Sequence, residues 1–261
     1  MAITLSIIGG GNMANAIVQG ALKSQILLPE QIAIAEPNEQ SRKVFVDLGC
    51  FGFNSVEELP KSEHILLAIK PQVFSEIATD IKDGVIYSIM AGITTSQITT
   101  LTSLNRVVRI MPNLPCKFGL GATALTRTSQ TALEDAKLAY ELFNSIGVVI
   151  DVEEQIFDAV TAVSGSGPAY VFLLAEAMIK GGVESGLPFE VSDALVRQTI
   201  LGAATMLAND KQSPELLRDA VTSRGGTTAA AIESMQDAAV VASIVKGIVA
   251  ARNRGAELSQ D

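Results

Sequence analysis

Two short stretches carry residues whose types and spacing could do chemistry. In Val221-Thr222-Ser223-Arg224-Gly225-Gly226-Thr227-Thr228-Ala229, two adjacent glycines sit among hydroxyl side chains, and a helix-forming run from Ala229 to Met235 follows at once. Glycine lets the backbone turn where a Cβ would clash. The amides behind such a turn are the unpaired first donors of a helix. They carry partial positive charge and suit a small anion such as a carboxylate. Read structurally, the same stretch is a helix cap after a glycine bend. Near the start of the chain, Gly9-Gly10-Gly11-Asn12-Met13-Ala14 fits G-x-G-x-x-A. It follows the apolar run Ile3 to Ile8 and precedes a helical pattern through Ile17, Val18, Ala21 and Leu22. Strand, glycine turn and helix together form the context that holds a dinucleotide pyrophosphate. Gly9, Gly11, Asn12, Met13 and Ala14 are therefore candidate cofactor residues.

A second strand, Ile32 to Ala35, ends at Glu36-Pro37-Asn38. An acidic residue roughly 20 positions past the glycines accepts hydrogen bonds from an adenosine ribose. Glu36 would also repel a 2′-phosphate, and Arg42 stands further along the next helix instead of at the tip. NADH is thus favoured over NADPH, although a loop-end carboxylate can be merely solvated. Phe51 to Phe53 reads as a third strand, with Asn54 at its end as a further cofactor candidate.

The elements that must position these residues follow from hydrophobic pattern. His64 to Ile69 is a continuous apolar strand ending in Lys70-Pro71, where proline suits the first turn of a helix. That loop lies at the carboxyl edge of the sheet, where ligands bind. His64 starts the strand at the opposite edge and reads as structural or exposed, not catalytic. Val85 to Met90, Arg106 to Met111, Leu120 to Thr126 and Val148 to Val152 are further strands, and Leu133 to Ile146 is a helix. Strands alternating with helices imply an α/β fold with a doubly wound parallel sheet. After about Asp151 strand signals vanish. The expected domains are 1–152, dinucleotide-binding, and 153–261, all-helical.

In the second half, Ser164-Gly165-Ser166-Gly167-Pro168 reads as the capped start of a long helix. Ala169 to Ala175 is apolar on every side, and Ala238 to Ala251 carries Lys246 as its lone charge. A helix apolar all round is buried all round. A helical domain this small cannot bury two such helices by itself, so an obligate dimer is expected.

Composition narrows the function classes. The 261 residues are 48% hydrophobic and carry a net charge of -9. That disfavours nucleic acid or an anionic membrane as partner. Glu176 and Lys246 interrupt the two stretches nearest to a membrane span. The N-terminus lacks the basic region of a signal peptide, so a cytoplasmic protein is expected. Cys50 and Cys116 show no metal or redox spacing. With His64 the single histidine, serine–histidine triads and His-rich metal sites have no support, and no metal is expected.

Taken together, GGGNMANAI, AIKPQ, MAGIT, VVRIMPNLP, SGSGPAYVFLLAEA and VTSRGGTT occur in one order across nearly the whole chain. In this the sequence resembles pyrroline-5-carboxylate reductase. The resemblance implies a Rossmann domain binding NADPH or NADH, a helical C-terminal dimerisation domain, and a homodimer interlocked through those helices and often assembled into a ring of dimers. It implies that Ser223 and the backbone of Gly225, Gly226, Thr227 and Thr228 hold the substrate carboxylate. The hydroxyl of Thr228 bonds the imine nitrogen as the catalytic contact. The nicotinamide half of the cofactor lies near Ile69, Lys70 and Pro71, where Lys70 serves either by its charge or by its backbone alone. Ser164 to Pro168 either shapes the mouth of the cleft or only caps its helix. The sequence departs from the family at Arg224, where proline is usual, at Cys116-Lys117-Phe118, and at Glu36.

The implied chemistry suits a chain so poor in acid–base side chains. A ketone needs an acid to protonate its oxygen, whereas an imine nitrogen can arrive protonated. The remaining demand is to position the imine carbon against the nicotinamide. Two alternatives differ in specific residues. A β-hydroxyacid dehydrogenase would carry a lysine where Tyr170, Val171 and Phe172 stand, and the next lysine here is Lys180. A non-catalytic NAD sensor would need no anion cradle after Thr222.

Overall fold

The computed structural model describes residues 2–258. The chain runs β1 (Ile3–Ile8), α1 (Asn12–Lys23), β2 (Ile32–Ala35), α2 (Glu39–Asp47), β3 (Phe51–Phe53), β4 (Ser62–Leu67), α3 (Pro71–Ile77), β5 (Val85–Ser88) and α4 (Thr95–Thr102). Then come β6 (Val107–Met111), β7 (Gly121–Arg127), α5 (Leu133–Asn144), β8 (Gly147–Asp151) and α6 (Phe157–Val160). The remainder is α7 (Gly167–Glu184), α8 (Phe189–Asn209), α9 (Pro214–Ala220), α10 (Thr227–Asp237) and α11 (Val240–Leu258).

The strands form one eight-stranded sheet in the order β3-β2-β1-β4-β5-β6-β7-β8. Registers such as Leu5↔Ile32, Leu5↔His64 and His64↔Val85 stack the central strands in parallel. Both faces are buried, which explains the continuous apolar runs. Leu5, Ile7, Leu66 and Tyr87 face one core with Ile17, Val18 and Phe143. The alternate positions Ile8, Ile65, Leu67 and Ile86 face a second core with Phe74 and Ile98. Strand period two thus splits each run between two layers.

The sheet is not wholly parallel. β7 pairs with β6 antiparallel, with Met111 opposite Ala124, before β8 returns parallel to β7 through α5. Only residues 112–120 join β6 to β7, too few for the crossover that a parallel return requires.

Two compact units emerge. One comprises residues 2–166 and 251–258 of the described chain, and the other is Gly167–Ala250. Within the first, the end of α11 lies beside the β5–α4 loop: a Cβ on Gly92 would stand 3.4 Å from Leu258 Cβ. A Cβ on Gly255 would stand 3.3 Å from Asp158. In the second, α7 and α8 pass closely where Gly182 leaves room for Ser192, whose hydroxyl donates to the Ile179 carbonyl at 2.9 Å.

Two local readings are corrected and a third is settled. β4 spans Ser62–Leu67, so Ala68 and Ile69 belong to the following loop. Of the two readings of His64, structural or exposed, the structural one holds: it is buried, its ring stacks on Tyr87 at 5.1 Å, and burial holds its pKa below the ordinary value. Ser164–Pro168 does not open a helix from extended chain. Helix precedes it from Phe157, and Thr161–Gly165 is a π-turn closed by the Ser166 amide on the Thr161 carbonyl at 2.8 Å. Ser164 donates to the Val160 carbonyl instead of capping.

The described residues hold one helical run, Glu154–Glu184, long and apolar enough to cross a membrane by length and composition, despite Glu176. Its large apolar side chains are uncovered in the single chain: Phe172 is 61% and Leu173 65% exposed. Val241 on α11 is 66% exposed. Both cysteines are buried and free, and burial pushes the Cys50 thiol up to about 11.

Candidate active site

The glycine turn after β1 is dictated by close approach. Gly9 has φ +100°, and a Cβ there would stand 2.6 Å from the Ala68 carbonyl oxygen and 2.9 Å from Ile69 Cγ2. Gly10 lies against Glu36, whose Cγ would be 2.9 Å from an added Cβ. Gly11 differs: an added Cβ would meet nothing within 4 Å. It is the N-cap of α1 and supplies no side-chain cap. The first amides of α1, from Asn12, Met13 and Ala14, therefore carry the usual unpaired helix donors beside open space. Open volume at uncapped amides is what a pyrophosphate requires, so the turn fits a dinucleotide.

A cleft of about 520 Å³ runs past this turn. Its lining joins Gly9, Gly11, Glu36, Asn54, Ile69 and Lys70 from the ends of β1, β2, β3 and β4. Six of the cofactor candidates thus meet at one carboxyl edge, beside the β1/β4 junction where the strand order reverses. Asn12, Met13, Ala14 and Pro71 are not on that lining; Ala14 is fully buried and lets α1 approach the sheet. Lys70 is the exposed N-cap of α3, and its ammonium has no protein partner among the described residues.

Glu36 is engaged from two sides. Its carboxylate accepts from the Gly10 amide at 2.7 Å and from the Asn38 amide at 2.8 Å. Arg42, expected further along the helix, instead reaches the tip of the loop, where its Nη1 donates to the carbonyls of Glu36 at 2.6 Å and Pro37 at 3.3 Å. A cation therefore does stand at the tip, contrary to the expectation from the sequence. Position 42 is one turn past the Asn38 cap, and a long side chain leans back towards the helix N-terminus; that offset was the available signal.

In the helical unit, Ser223–Thr228 forms a tight turn. The Gly226 amide donates to the Ser223 carbonyl at 3.0 Å, and Gly225 takes φ +70°. Ser223 Oγ would be 2.4 Å from a Cβ on Gly226, so only glycine leaves that hydroxyl in place. Gly226 caps α10 without a side chain, which leaves the amides of Thr227 and Thr228 as free first-turn donors. Thr228 is half-buried, whereas Ser223, Arg224 and Thr227 are exposed. Arg224 has no partner among the described residues and adds positive charge beside the turn.

Two further groups escaped sequence reading. Arg109, 3% exposed on β6, donates to Glu154 at 3.0 Å and lies over the Phe157 ring at 4.6 Å. Glu154 also accepts from the amide and hydroxyl of Thr95 at 2.7 and 2.6 Å. This joins the start of α4 to the segment leading into α6. Asn113, after β6, donates to the Ser164 carbonyl of the π-turn at 3.0 Å and accepts from the Ala122 amide at 2.9 Å. A lone arginine within an apolar strand was the sequence signal for the first, since buried charges are paired.

Comparison with known proteins bears on both units. Residues 154–258 match a family model described as pyrroline-5-carboxylate reductase dimerisation, and residues 4–92 match one described as NADP oxidoreductase coenzyme F420-dependent. The chain is 38% identical to a pyrroline-5-carboxylate reductase of Arabidopsis thaliana over 260 residues, 97% of this chain and 94% of that protein. It resembles a crystal structure of a pyrroline-5-carboxylate reductase from Coxiella burnetii with TM-score 0.89 at 32% identity, covering 98% of each chain. The Plasmodium falciparum pyrroline carboxylate reductase with NADP bound gives the same TM-score at 29% identity, again covering 98% of each chain.

Proposed function

We infer the roles of these residues from one premise: this chain belongs to the pyrroline-5-carboxylate reductase family. It is an NAD(P)-dependent oxidoreductase that reduces the cyclic imine 1-pyrroline-5-carboxylate to L-proline, the last step of proline synthesis. It is a homodimer acting on a small-molecule substrate.

A bound reduced nicotinamide cofactor supplies the hydride. Gly9, Gly11 and the first amides of α1, from Asn12, Met13 and Ala14, hold its pyrophosphate. Glu36 and Asn54 border the adenosine end, and Ile69, Lys70 and Pro71 border the nicotinamide end. The substrate carboxylate is held by Ser223 Oγ and by the backbone amides of Gly225, Thr227 and Thr228, while the Gly226 amide closes the turn on the Ser223 carbonyl. Thr228 Oγ1 accepts the N–H of the protonated imine, which fixes the ring so that its imine carbon is the atom presented for reduction. The nitrogen already bears its proton, so the hydride on carbon completes a secondary amine and no side chain has to titrate. The observation that carries this reading is the Ser223–Gly226 turn, in which a left-handed Gly225 and a side-chain-free cap leave the first donors of α10 unspent.

The purified protein should oxidise NADH or NADPH in the presence of 1-pyrroline-5-carboxylate; no turnover with either would overturn the reading. Thr228→Ala should lower kcat by about 100-fold, within the range of lost positioning contacts, and leave cofactor KM unchanged. An unaltered kcat would remove Thr228 from the mechanism. The functional division 1–152 and 153–261, a ring of dimers and a cytoplasmic location complete the proposal. Light scattering on the purified protein distinguishes a ring from an isolated dimer.

A further inference from the structure

We propose that Arg42 is the specificity-determining residue that admits the 2′-phosphate of NADPH at the ribose end of the cleft, so that Glu36 does not confine the enzyme to NADH. The inference rests on the cofactor cleft described above and concerns which of its two possible ligands it accepts.

An acidic side chain at the end of β2 discriminates against NADPH when its carboxylate is free to repel the 2′-phosphate. Glu36 is not free in this sense. One oxygen accepts from the Gly10 amide and the other from the Asn38 amide, so two backbone dipoles already face its charge. Arg42 stands beside it as a fixed cation. Its stem lies across Gly52 of β3, where an added Cβ would meet Arg42 Cγ at 2.9 Å and Cδ at 3.2 Å. Its Nη1 is held by the carbonyls of Glu36 and Pro37. Both contacts immobilise the side chain at the tip of the loop that borders the ribose.

A guanidinium has five N–H donors in a rigid fork. Nη1 serves the two carbonyls, while Nε and Nη2 meet no protein acceptor and the group has no carboxylate partner among the described residues. The neighbouring cation Lys43 is bonded to Asp47 at 2.5 Å. Arg42 is therefore the cation at this tip still available to an anion, in the fork geometry that matches a phosphate. Lysine would keep the charge and lose the fork.

The test compares wild type, Arg42→Gln and Arg42→Lys with both cofactors, and measures by calorimetry the binding of adenosine 2′,5′-bisphosphate and of 5′-ADP. Arg42→Gln should lower kcat/KM for NADPH by about tenfold or more through KM, as expected for a lost charge-assisted bidentate contact. Its kcat/KM for NADH should stay within about twofold. Affinity for the 2′,5′-bisphosphate should fall in parallel while affinity for 5′-ADP holds, and Arg42→Lys should recover only part of the loss. Equal losses for the two cofactors would reduce Arg42 to loop scaffolding and overturn the proposal. So would unchanged affinity for the 2′,5′-bisphosphate. Nucleotide binding is read without turnover, so the role of Arg42 is decided even where reduction of the imine fails.

Discussion

His64 shows what burial does to a side chain that ordinarily exchanges protons near neutrality. Desolvation among the strands outweighs the nearby carboxylates of Glu63 and Asp135 and lowers its pKa. The unfolded chain then binds the proton more readily than the folded one, so this residue weakens the fold as the pH drops below about 6.5. Above that value both states are neutral and the effect is absent. His64→Phe keeps the ring against Tyr87 and should flatten the acid side of the stability–pH curve; urea midpoints from pH 5 to 8 would check it, and an unchanged acid slope would contradict it. At this scale the sequence was most legible where a motif is local. Gly9, Gly11, Glu36 and the Ser223–Thr228 turn were visible as candidates because glycine turns and strand ends show in sequence spacing, although the contacts that Gly9 and Glu36 make reach to Ala68 and Gly10 on other segments. Arg42 was not, because its position depends on a side-chain path across Gly52 on another strand.

Between elements, the network of Arg109, Glu154 and Thr95 is a polar tie within the nucleotide-binding unit. β4 and β5 run side by side to Leu67↔Ser88, and the Ile89 amide continues the ladder to the Leu67 carbonyl. The β5–α4 loop thus lies next to Ile69-Lys70-Pro71, and Glu154 fixes the α4 end of it. Glu154→Gln leaves a buried guanidinium without its counter-charge and should cost on the order of 3 kcal/mol. The double replacement Arg109→Met with Glu154→Leu should regain much of that loss, because no charge is then stranded. Urea unfolding at matched protein concentration measures both, and equal stability of Glu154→Gln and wild type would refute the tie. Strand positions were readable from continuous apolar runs. The reversed direction of β7 was not, since it depends on the short path through residues 112–120. Ser164–Pro168 mimicked a capped start because serine and proline are tolerated there for another reason: the π-turn leaves the Ser164 carbonyl to Asn113.

For the molecule as a whole, the apolar composition of α7 and α11 was legible as a demand for burial, and one copy of the chain does not meet it. Phe172, Leu173 and Val241 are largely uncovered in the single chain, the kind of exposed apolar surface that a second copy would cover. Val241→Glu should therefore shift the protein towards monomer in sedimentation or light scattering and lower its Tm, together with its reductase activity. A dimer of undiminished stability would contradict this. The order of the units along the chain has a separate consequence. Since residues 251–258 belong with residues 2–166, Gly167–Ala250 is a detour that departs from one body and rejoins it. A protein cut at position 250 would strip the cover from Gly92 and Asp158 and expose a seam in the nucleotide-binding body.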